Sequence, residues 1–583
     1  MLKQFKSFIA ITALLSATVV FNACKKEAEV FPAPTVSAGA AVSGLAGSVV
    51  KITATLNAPG GLRTLTVLKN GVQWDTKAYT TGNTDSYTKD YTVENAPANS
   101  SIVFTFQTTD QAGQSSTVGT QVVTVSAVQP KPIVTITGTL EGNISWTKDK
   151  IYLLNGFVRL GEDKSADGSQ ITKTGTLTIE AGTVVMGDRA SKGTLIIQRG
   201  SKIIANGTAD APIVFTSARP VGDRETGDWG GLVICGKAAN NLPGGTAELE
   251  GGYGAFHGGK DNADNSGSLK YVRVEYAGIP INPNQEINSF TLGSLGSGTV
   301  IDYCMASYGG DDSFEWFGGT ANGAHLVAYR GIDDDFDMDN GFSGRLQYGI
   351  GIRGAAIADQ SGSNGFEIDN DTGGTSNTPF TSPVISNFSI IGPKQVAATG
   401  ISPQFQNGAH LRRNCKAKIY NTLITSYPNG IYIDGNNTLT NAQNNELVLN
   451  RVIVSAVKGW GNNGFGVATV GQVNPNGFAI RDVNTASPVV ALQLIGGKKP
   501  SEWFAGQAGN KLIEDWTTTG ISETLWGAGR PAFTLTNGRA DGLEKGGVSP
   551  SGFEAADFIG AFKDSDWTAK WTNFSSQTTD YSK

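Results

Sequence analysis

A three-residue phrase that occurs three times between residues 302 and 371 constrains this chain more than any other feature. The copies are Phe314-Glu315-Trp316, Phe336-Asp337-Met338 and Phe366-Glu367-Ile368, at offsets of 22 and 30 residues. Each copy alternates large apolar, acidic and large apolar residues, which is the pattern of a β-strand with one buried face. Recurrence at such offsets indicates the stacked coils of a β-solenoid. We expect the phenylalanines to form one inward column and the three carboxylates an outward, solvated column.

The segment that contains these phrases is strongly acidic. It has thirteen Asp and Glu residues against three arginines, whereas the whole chain carries a formal charge of only −6. Like charges that face one another destabilise a sheet unless salt screens them or a cation binds, and clustered carboxylate oxygens suit Ca²⁺. The sequence therefore favours a solvated acidic face without metal, and a calcium site is the alternative. The candidate ligands are Glu315, Asp334, Asp337, Asp339, Glu367 and Asp369.

The composition favours a turn-rich all-β protein. Glycine is frequent, with 76 residues, whereas charged residues make up 16% of the chain and hydrophobic residues 39%. The acidic balance, without a basic patch that has interleaved aromatic residues, argues against nucleic acid as a partner. Cys235, Cys304 and Cys415 are odd in number and far apart. We therefore expect buried structural thiols rather than disulfides or a metal site.

The first 24 residues have the pattern of an export signal. Lys3 and Lys6 precede an apolar run over residues 8–21 that is too short for a confident membrane span. The run ends in Phe-Asn-Ala-Cys, which resembles a bacterial lipobox, and this resemblance implies that Cys24 is lipidated. The charged residues after it resemble the tethers of Bacteroidota-type surface lipoproteins. We therefore expect a lipid anchor in the outer membrane, on the cell surface rather than the periplasmic face. The alternative is an ordinary secretory signal.

Changes of pattern along the chain predict its domains. Residues 25–35 include two prolines and are expected to be an extended tether. Residues 36–128 show short alternating strands, with Asn70-Gly71 as a hairpin turn, and resemble the Ig-like or PKD-like β-sandwiches of bacterial surface proteins. The solenoid is expected over residues 133–500. Residues 501–583 hold half of the ten tryptophans, which predicts an aromatic-rich cap over the end of the solenoid, with sugar stacking on one or two rings as the alternative. These tryptophans are Trp503, Trp516, Trp526, Trp567 and Trp571.

Internal repeats predict which strands stack on one another. Residues 176–185 align with residues 194–203 at an offset of 18, with a glycine at the same bend of each. Residues 269–278 match residues 301–310 at an offset of 32. The variable offsets indicate loops of different length inserted at the corners of the coils.

Asparagines near three later strands predict a further repeat. Asn387, Asn421 and Asn450 each precede an apolar pair, and we expect them to form a hydrogen-bonded ladder at one corner of successive coils. Such ladders are a feature of pectate-lyase-like helices. In addition, residues 176–217 and 229–233 resemble the opening coils of pectin-lyase-like right-handed parallel β-helix proteins.

This resemblance covers about residues 135–500 and implies the fold class. We expect an all-β chain in which a right-handed parallel β-helix follows a small Ig-like β-sandwich. The resemblance implies no single function, because the same scaffold hosts lyases, hydrolases, adhesins and inert binding surfaces.

Catalysis is weakly supported by the sequence. By analogy with pectate lyases, the acidic stretch would hold Ca²⁺ and Arg345 or Arg353 would act as the base. Asp311 and Asp312 resemble the paired acids of polygalacturonases, but the Gly-His-Gly and Arg-x-Lys motifs of those enzymes are missing. The chain has three histidines, which are few for a zinc site or a serine triad. We expect these histidines at corners of the coils or on the surface.

Two hypotheses for function follow from these observations. The first is a non-enzymatic, lipid-anchored surface protein: adhesin-like or polysaccharide-binding, or an accessory subunit of an outer-membrane complex such as a TonB-dependent transporter. The second is a Ca²⁺-dependent polysaccharide lyase or glycoside hydrolase that acts on an acidic glycan. Ca²⁺ is the one cofactor that either hypothesis calls for.

Overall fold

The computed structural model describes residues 29–583 except 284, 394–400, 456–478, 485–490, 514–518, 528 and 534–545. The predicted signal peptide, Cys24 and Trp516 therefore lie outside the described residues. The chain divides into two compact units, with the boundary between Pro130 and Lys131. No helix among the described residues is long and apolar enough to cross a membrane.

The first unit is a β-sandwich. Its eight strands are β1 Thr35–Ala38, β2 Val42–Gly44, β3 Val49–Asn57, β4 Leu62–Lys69, β5 Val72–Ala78, β6 Thr84–Thr92, β7 Ser101–Asp110 and β8 Gly119–Val125. They form one sheet in the order β1-β3-β6 and another in the order β2-β8-β7-β4-β5, around a core that includes Ile52, Phe104 and Phe106. Asn70 and Gly71 both have positive φ angles and join β4 to β5, which confirms the predicted hairpin.

The second unit is a parallel β-helix with two long sheets, and the described strands of both sheets pair in parallel. We call the ten-stranded one the groove sheet. Its strands are β10 Thr139–Leu140, β13 Phe157–Leu160, β18 Thr194–Ile197, β21 Leu232–Cys235, β27 Phe290–Leu295, β29 Phe314–Gly319, β31 Phe336–Asp339, β33 Phe366–Ile368, β35 Asn407–Leu411 and β38 Asn429–Ile433.

The other long sheet has seventeen strands, and we call it the bent sheet. Its strands are β9 Ile133–Ile136, β11 Gly142–Trp146, β12 Ile151–Leu154, β16 Gly175–Ile179, β17 Val184–Gly187, β19 Lys202–Asn206, β20 Ile213–Ser217, β24 Gly267–Glu275, β28 Val300–Ser307, β30 Asn322–Tyr329, β32 Arg345–Ile352, β34 Val384–Ile391, β36 Lys418–Tyr420, β37 Leu423–Thr425, β39 Val448–Asn450, β40 Ile453–Ser455 and β43 Lys511–Ile513.

Short strand pairs and helices lie at the corners of the coils. Four strand pairs are β14 Glu162–Asp163 with β15 Ile171–Lys173, β22 Thr246–Glu248 with β23 Phe256–Gly258, β25 Pro280–Asn282 with β26 Gln285–Glu286, and β41 Val483–Asn484 with β42 Ala491–Leu492. Among the described residues, the helices are α1 Asn436–Gln443 and α2 Pro500–Ala505, with 3₁₀ turns at Pro243–Gly245, Glu523–Trp526 and Ser576–Thr578.

The predicted apolar columns are confirmed by the register of the groove sheet. Phe336 pairs with Phe314 on one side and Phe366 on the other, and the ring centroids are 5.5 and 5.7 Å apart. Phe290 extends the column by one rung, 4.7 Å from Phe314. These side chains are fully buried, so the stack of rings forms a large part of the core.

The predicted repeats are right in one case and wrong in another. Leu269 pairs with Ile301, so the offset of 32 is a true rung-to-rung match. The offset of 18 is wrong, because Leu177 in the bent sheet pairs with Ile203 whereas Leu195 lies in the groove sheet. Similar strand-and-corner phrases occur on two faces of one coil, and a sequence alignment cannot tell such faces apart.

The asparagine ladder predicted at residues 387, 421 and 450 does not form. Asn387 and Asn421 have positive φ angles, but the equivalent position in the next rung is Arg451, because Asn450 pairs with Tyr420. The two asparagines instead bind the C-terminal segment. Asn387 Nδ2 donates to the carbonyl of Phe558 (2.9 Å), and Asn421 Nδ2 donates to that of Val548 (2.6 Å).

The C-terminal residues 546–583 lie along the side of the β-helix and do not cap its end as predicted. Arg273 Nη1 donates to the Trp571 carbonyl (2.9 Å), and the amide of Lys131, at the first rung, donates to the Ser582 carbonyl (2.7 Å). Trp503 of α2, by contrast, packs into the main core. A side strip of this kind covers the apolar outer face of the bent sheet, including Val327 and Ile350.

Candidate functional site: an acidic groove

An asparagine and aspartate ladder positions the candidate site. In successive rungs of the groove sheet, an Asp or Asn lies two residues before an inward-facing side chain. Its side-chain oxygen accepts a hydrogen bond from the equivalent residue of the next rung. Asp312 Oδ1 accepts from the Asp334 amide (2.8 Å), Asp334 Oδ1 from the Asn364 amide, and Asn364 Oδ1 from the Asn407 amide (3.1 Å). Asn407 Oδ1 in turn accepts from Asn429 Nδ2 (3.2 Å). We call these five residues the corner ladder.

The corner ladder assigns a structural role to two of the predicted site residues. Asp312 and Asp334 occupy positions where later rungs use asparagine, and all five ladder side chains are buried. This ladder was not predicted from the sequence, and the ladder that was predicted lay elsewhere. The signal was an Asn or Asp two residues before each stacked Phe, Ala or Ile of the groove sheet.

The predicted carboxylate column exists, but it lies in a groove and not on an open, solvated face. Glu315, Asp337 and Glu367 pair in register, and His410 continues the column. Glu315 is only 8% exposed, whereas an open outward face was expected. The reason is that loops from the corners form walls on either side, and Glu250 from one of these loops lines the same space.

Eight carboxylates converge on one cavity of about 600 Å³ in this groove. Among the described residues, no lysine or arginine lines this cavity; Gln360 and Ser361 complete it. Oxygens of Asp312, Glu315 and Asp337 lie within 4.8 Å of one another, as do oxygens of Asp311, Asp312 and Asp333. The eight are Glu250, Glu286, Asp311, Asp312, Glu315, Asp333, Asp337 and Asp359.

Burial and mutual repulsion make these carboxyl groups hard to ionise. Burial, followed by the charge of Asp337, raises the pKa of Glu315 well above its usual value. Burial and the charge of Glu367 do the same to the pKa of Asp337. Burial and Asp369 raise the pKa of Asp339 to about 7. At neutral pH the groove must therefore hold protons or attract cations.

A second cavity, of about 360 Å³, continues the groove and contains its positive charge. Arg412 Nε lies 2.8 Å from Asp369 Oδ2, and its Nη2 binds Glu367. Arg413 adds a longer contact to Asp369, at 3.5 Å. Burial lowers the pKa of His410 to about 4, so this histidine is neutral at pH 7 and offers no further charge. Glu367 and Asp369 are therefore neutralised by arginine, unlike the carboxylates of the first cavity.

The arginines proposed as bases from the sequence do not line either cavity. Arg353 is fully buried and pairs with Asp335 at 2.9 Å, a carboxylate that also accepts from the Tyr427 hydroxyl. Arg345 is exposed at the start of β32, in the bent sheet. Arg412 is the arginine beside the acidic column. The sequence analysis missed it because Arg412 enters the groove one rung after the acidic stretch ends.

His257 and the three described cysteines have structural surroundings. His257 is buried with Nδ1 2.9 Å from Ser294 Oγ, and burial lowers its pKa to about 3. Cys235, Cys304 and Cys415 are all buried, and burial raises the pKa of each thiol. None of these four side chains is poised to be a nucleophile or a metal ligand.

Comparison with known proteins supports the fold. A family described as pectate-lyase like beta helix domain matches residues 138–487, which is more than half of the 583 residues. Neither the curated proteins nor the solved structures gave a match to this chain. The match spans the parallel strands from β10 to β40. The chain therefore belongs to the pectate-lyase-like β-helix family.

Proposed function

We propose that this protein is an exported, lipid-anchored binding protein whose acidic groove takes up Ca²⁺, and that it acts without catalysis. The observation that carries the proposal is the convergence of eight carboxylates on a cavity whose described lining has no basic side chain. Lipid anchoring and surface location rest on the lipobox resemblance around Cys24.

The donor set of the first cavity fits a hard cation. Two oxygens that share one Ca²⁺ at about 2.4 Å each lie at most about 4.8 Å apart, and the oxygens of Asp312, Glu315 and Asp337 meet that limit. In addition, Oδ1 of Asp337 and Oδ1 of Asp333 are buried without a hydrogen-bond donor. A cation would satisfy these oxygens and remove the repulsion between the carboxylates.

Calorimetric titration of the metal-free protein with CaCl₂ at pH 7 tests this proposal. We expect saturable binding that the Glu315→Gln, Asp337→Asn double variant abolishes. Glu180→Gln is the matched control, because Glu180 is an exposed carboxylate paired with Lys148 outside the groove. Absence of binding to the unaltered protein, or equal binding by the double variant, would contradict the proposal.

The position of Arg412 argues against lyase chemistry. A base that removes a sugar α-proton must lose its own proton first, but Glu367 and Asp369 raise the pKa of the Arg412 guanidinium. Glycoside hydrolysis is the better second candidate. It needs a protonated and an ionised carboxyl group within about 5 to 10 Å, and the first cavity provides buried carboxyls with raised pKa values.

Incubation with acidic polysaccharides separates these activities from binding. A binding protein releases neither reducing nor unsaturated ends. Reducing ends without unsaturated ends, lost in the Glu315→Gln, Asp337→Asn variant, would establish a hydrolase. Unsaturated ends, each formed together with a reducing end, would establish a lyase.

We infer a protein partner in the outer membrane from the predicted lipid anchor. A pull-down from detergent-solubilised membranes is expected to recover a transporter or assembly subunit. Recovery should be unaffected by Glu315→Ala and Asp337→Ala if the partner binds elsewhere. Recovery of no membrane protein would favour the adhesin-like alternative.

A further inference from the structure

Each long strand of the bent sheet bends at a residue with left-handed backbone, and these residues form a column along the β-helix. In four consecutive rungs the residue in this column carries an aromatic or imidazole ring. Tyr271, Tyr303, His325 and Tyr348 have φ angles of 51°, 54°, 52° and 60°. Successive ring centroids are 4.4, 4.1 and 5.1 Å apart, so the rings form a continuous strip. At the same position of the next rung, Asn387 binds the C-terminal segment instead.

The C-terminal segment covers this strip incompletely. Trp567 meets the His325 ring edge-on at 5.2 Å, and Phe558 is stacked on Tyr348 at 6.2 Å. A cavity of about 390 Å³ lies between these rings, and Glu554 is also part of its lining. An adjoining cavity of about 350 Å³ shares Tyr348 and Glu554. We call the two together the aromatic cleft, and each is of the size that small-molecule sites have.

The polar groups of the aromatic cleft are of mixed charge. His325 Nδ1 lies 2.8 Å from Asp302 Oδ1, and this contact fixes the orientation of the ring. Asp302, Glu554 and Arg345 line the cleft, and Lys563 lies at its rim. Because both signs are present, the cleft does not select a highly charged ligand, unlike the acidic groove.

We propose that the aromatic cleft binds a short neutral oligosaccharide. The rings of the strip cover one another's faces, so a bound sugar packs its apolar C–H groups against their exposed edges. Its hydroxyl groups bond to the carboxylate, guanidinium and imidazole groups of the lining. The cleft presents this combination of Tyr348, His325 and Trp567 with Asp302 and Glu554. It is formed by the bent sheet and the C-terminal segment, so it is separate from the groove sheet and its carboxylates.

Titration with neutral cello-, xylo-, manno- and galacto-oligosaccharides, followed by calorimetry and tryptophan fluorescence, tests this proposal. We expect at least one of these sugars to bind and Tyr348→Ala to weaken it by at least about tenfold. Tyr308→Ala is the matched control, because Tyr308 also has a positive φ (54°), is half-buried and stacks on a tyrosine, but lies in another column. The Tyr308→Ala variant should bind the sugar with the same affinity as the unaltered protein.

Several outcomes would overturn the proposal. These are no binding of any neutral sugar in the panel, equal losses in Tyr348→Ala and Tyr308→Ala, or binding of oligogalacturonate alone. Glu315→Gln should leave neutral-sugar binding unchanged, and a loss there would place the sugar in the acidic groove. A thermal melt of each variant separates lost binding from lost folding. The result is independent of Ca²⁺ binding, so the two proposals can fail separately.

Discussion

Glu315 shows how one residue can stabilise the protein in one state and destabilise it in another. Its carboxylate lies beside that of Asp337 in a nearly buried position, and its one neutral partner is Asn288, which donates from Nδ2. Without a cation, the two carboxylates repel each other through a medium that screens poorly. With a cation between them, the same oxygens become ligands.

Substitution of Glu315 should therefore have opposite effects with and without calcium. In metal-free protein at pH 7, Glu315→Gln is expected to raise the free energy of unfolding by about 1 kcal/mol, because it removes a repelling charge and retains an acceptor for Asn288. In saturating Ca²⁺ the variant should be less stable than the unaltered protein. Urea unfolding under both conditions measures this difference, and the same sign in both would refute the account of the groove.

The pH dependence of stability follows from the raised pKa values. Folding raises the pKa of Asp339 from an ordinary value of 3.8 to about 7, so the folded state binds more protons than the unfolded state in that window. The stability that this group contributes below pH 4 is therefore lost as pH rises towards 7. In the metal-free Asp339→Asn variant, we expect the free energy of unfolding to fall less steeply with pH over this window. The difference in slope should correspond to at most about one bound proton. Denaturation at several pH values measures the slope, and an unchanged slope would contradict the assigned pKa.

The corner ladder is the element that holds the acidic groove in register. Each rung supplies one side-chain oxygen for a buried amide of the next, which explains why short strands of unequal spacing remain aligned. A buried amide left without an acceptor costs about 1 to 3 kcal/mol.

A pair of substitutions at Asp312 separates its ladder role from its charge. Asp312→Asn keeps the acceptor for the Asp334 amide and removes the charge, so metal-free stability should be unchanged or higher. Asp312→Ala removes both, and we expect it to be less stable than the asparagine variant by about 1 to 3 kcal/mol. Chemical denaturation of both proteins gives the comparison. Equal stabilities would mean that the ladder bond contributes nothing.

Sequence reasoning recovered the elements whose side chains alternate without interruption. The phenylalanine column was predictable because Phe314, Phe336 and Phe366 sit in identical local phrases. The burial of Glu315 was not, because it depends on corner loops such as the one that carries Glu250, far away in sequence. Arg412 was missed for the same reason: it reaches the groove through a long insertion between rungs, which local periodicity does not reveal.

The second unit is held together by its last residues as well as by its coils. Arg273 is buried against Glu275 and donates to the Trp571 carbonyl and the Tyr581 hydroxyl. These bonds join the early rungs of the β-helix to the C-terminal strip over the aromatic cleft.

Loss of Arg273 should loosen this strip. Arg273→Ala leaves the Glu275 carboxylate buried without its ion pair, and we expect destabilisation of about 3 to 5 kcal/mol together with faster proteolysis near the C-terminus. The control Lys148→Ala removes an exposed ion pair with Glu180 and should cost less than about 1 kcal/mol. Equal effects of the two substitutions on stability and proteolysis would mean that the strip is not held as described.

Membrane attachment is a separate property of the whole molecule. The lipobox resemblance predicts that Cys24→Ser abolishes lipid labelling and moves the protein from the membrane to the soluble fraction. Fractionation after metabolic labelling with a fatty acid measures this. Unchanged membrane retention by the unlabelled variant would assign attachment to another part of the protein.

Diffraction from crystals grown at pH 7 with CaCl₂ tests the central claim most directly. The account predicts a calcium peak in the acidic groove, at about 2.3 to 2.6 Å from carboxylate oxygens of Asp312, Glu315 and Asp337, in an intact phenylalanine-lined β-helix. A groove in which these carboxyl groups instead share protons in hydrogen-bonded pairs, with no ion at saturating calcium, would contradict it.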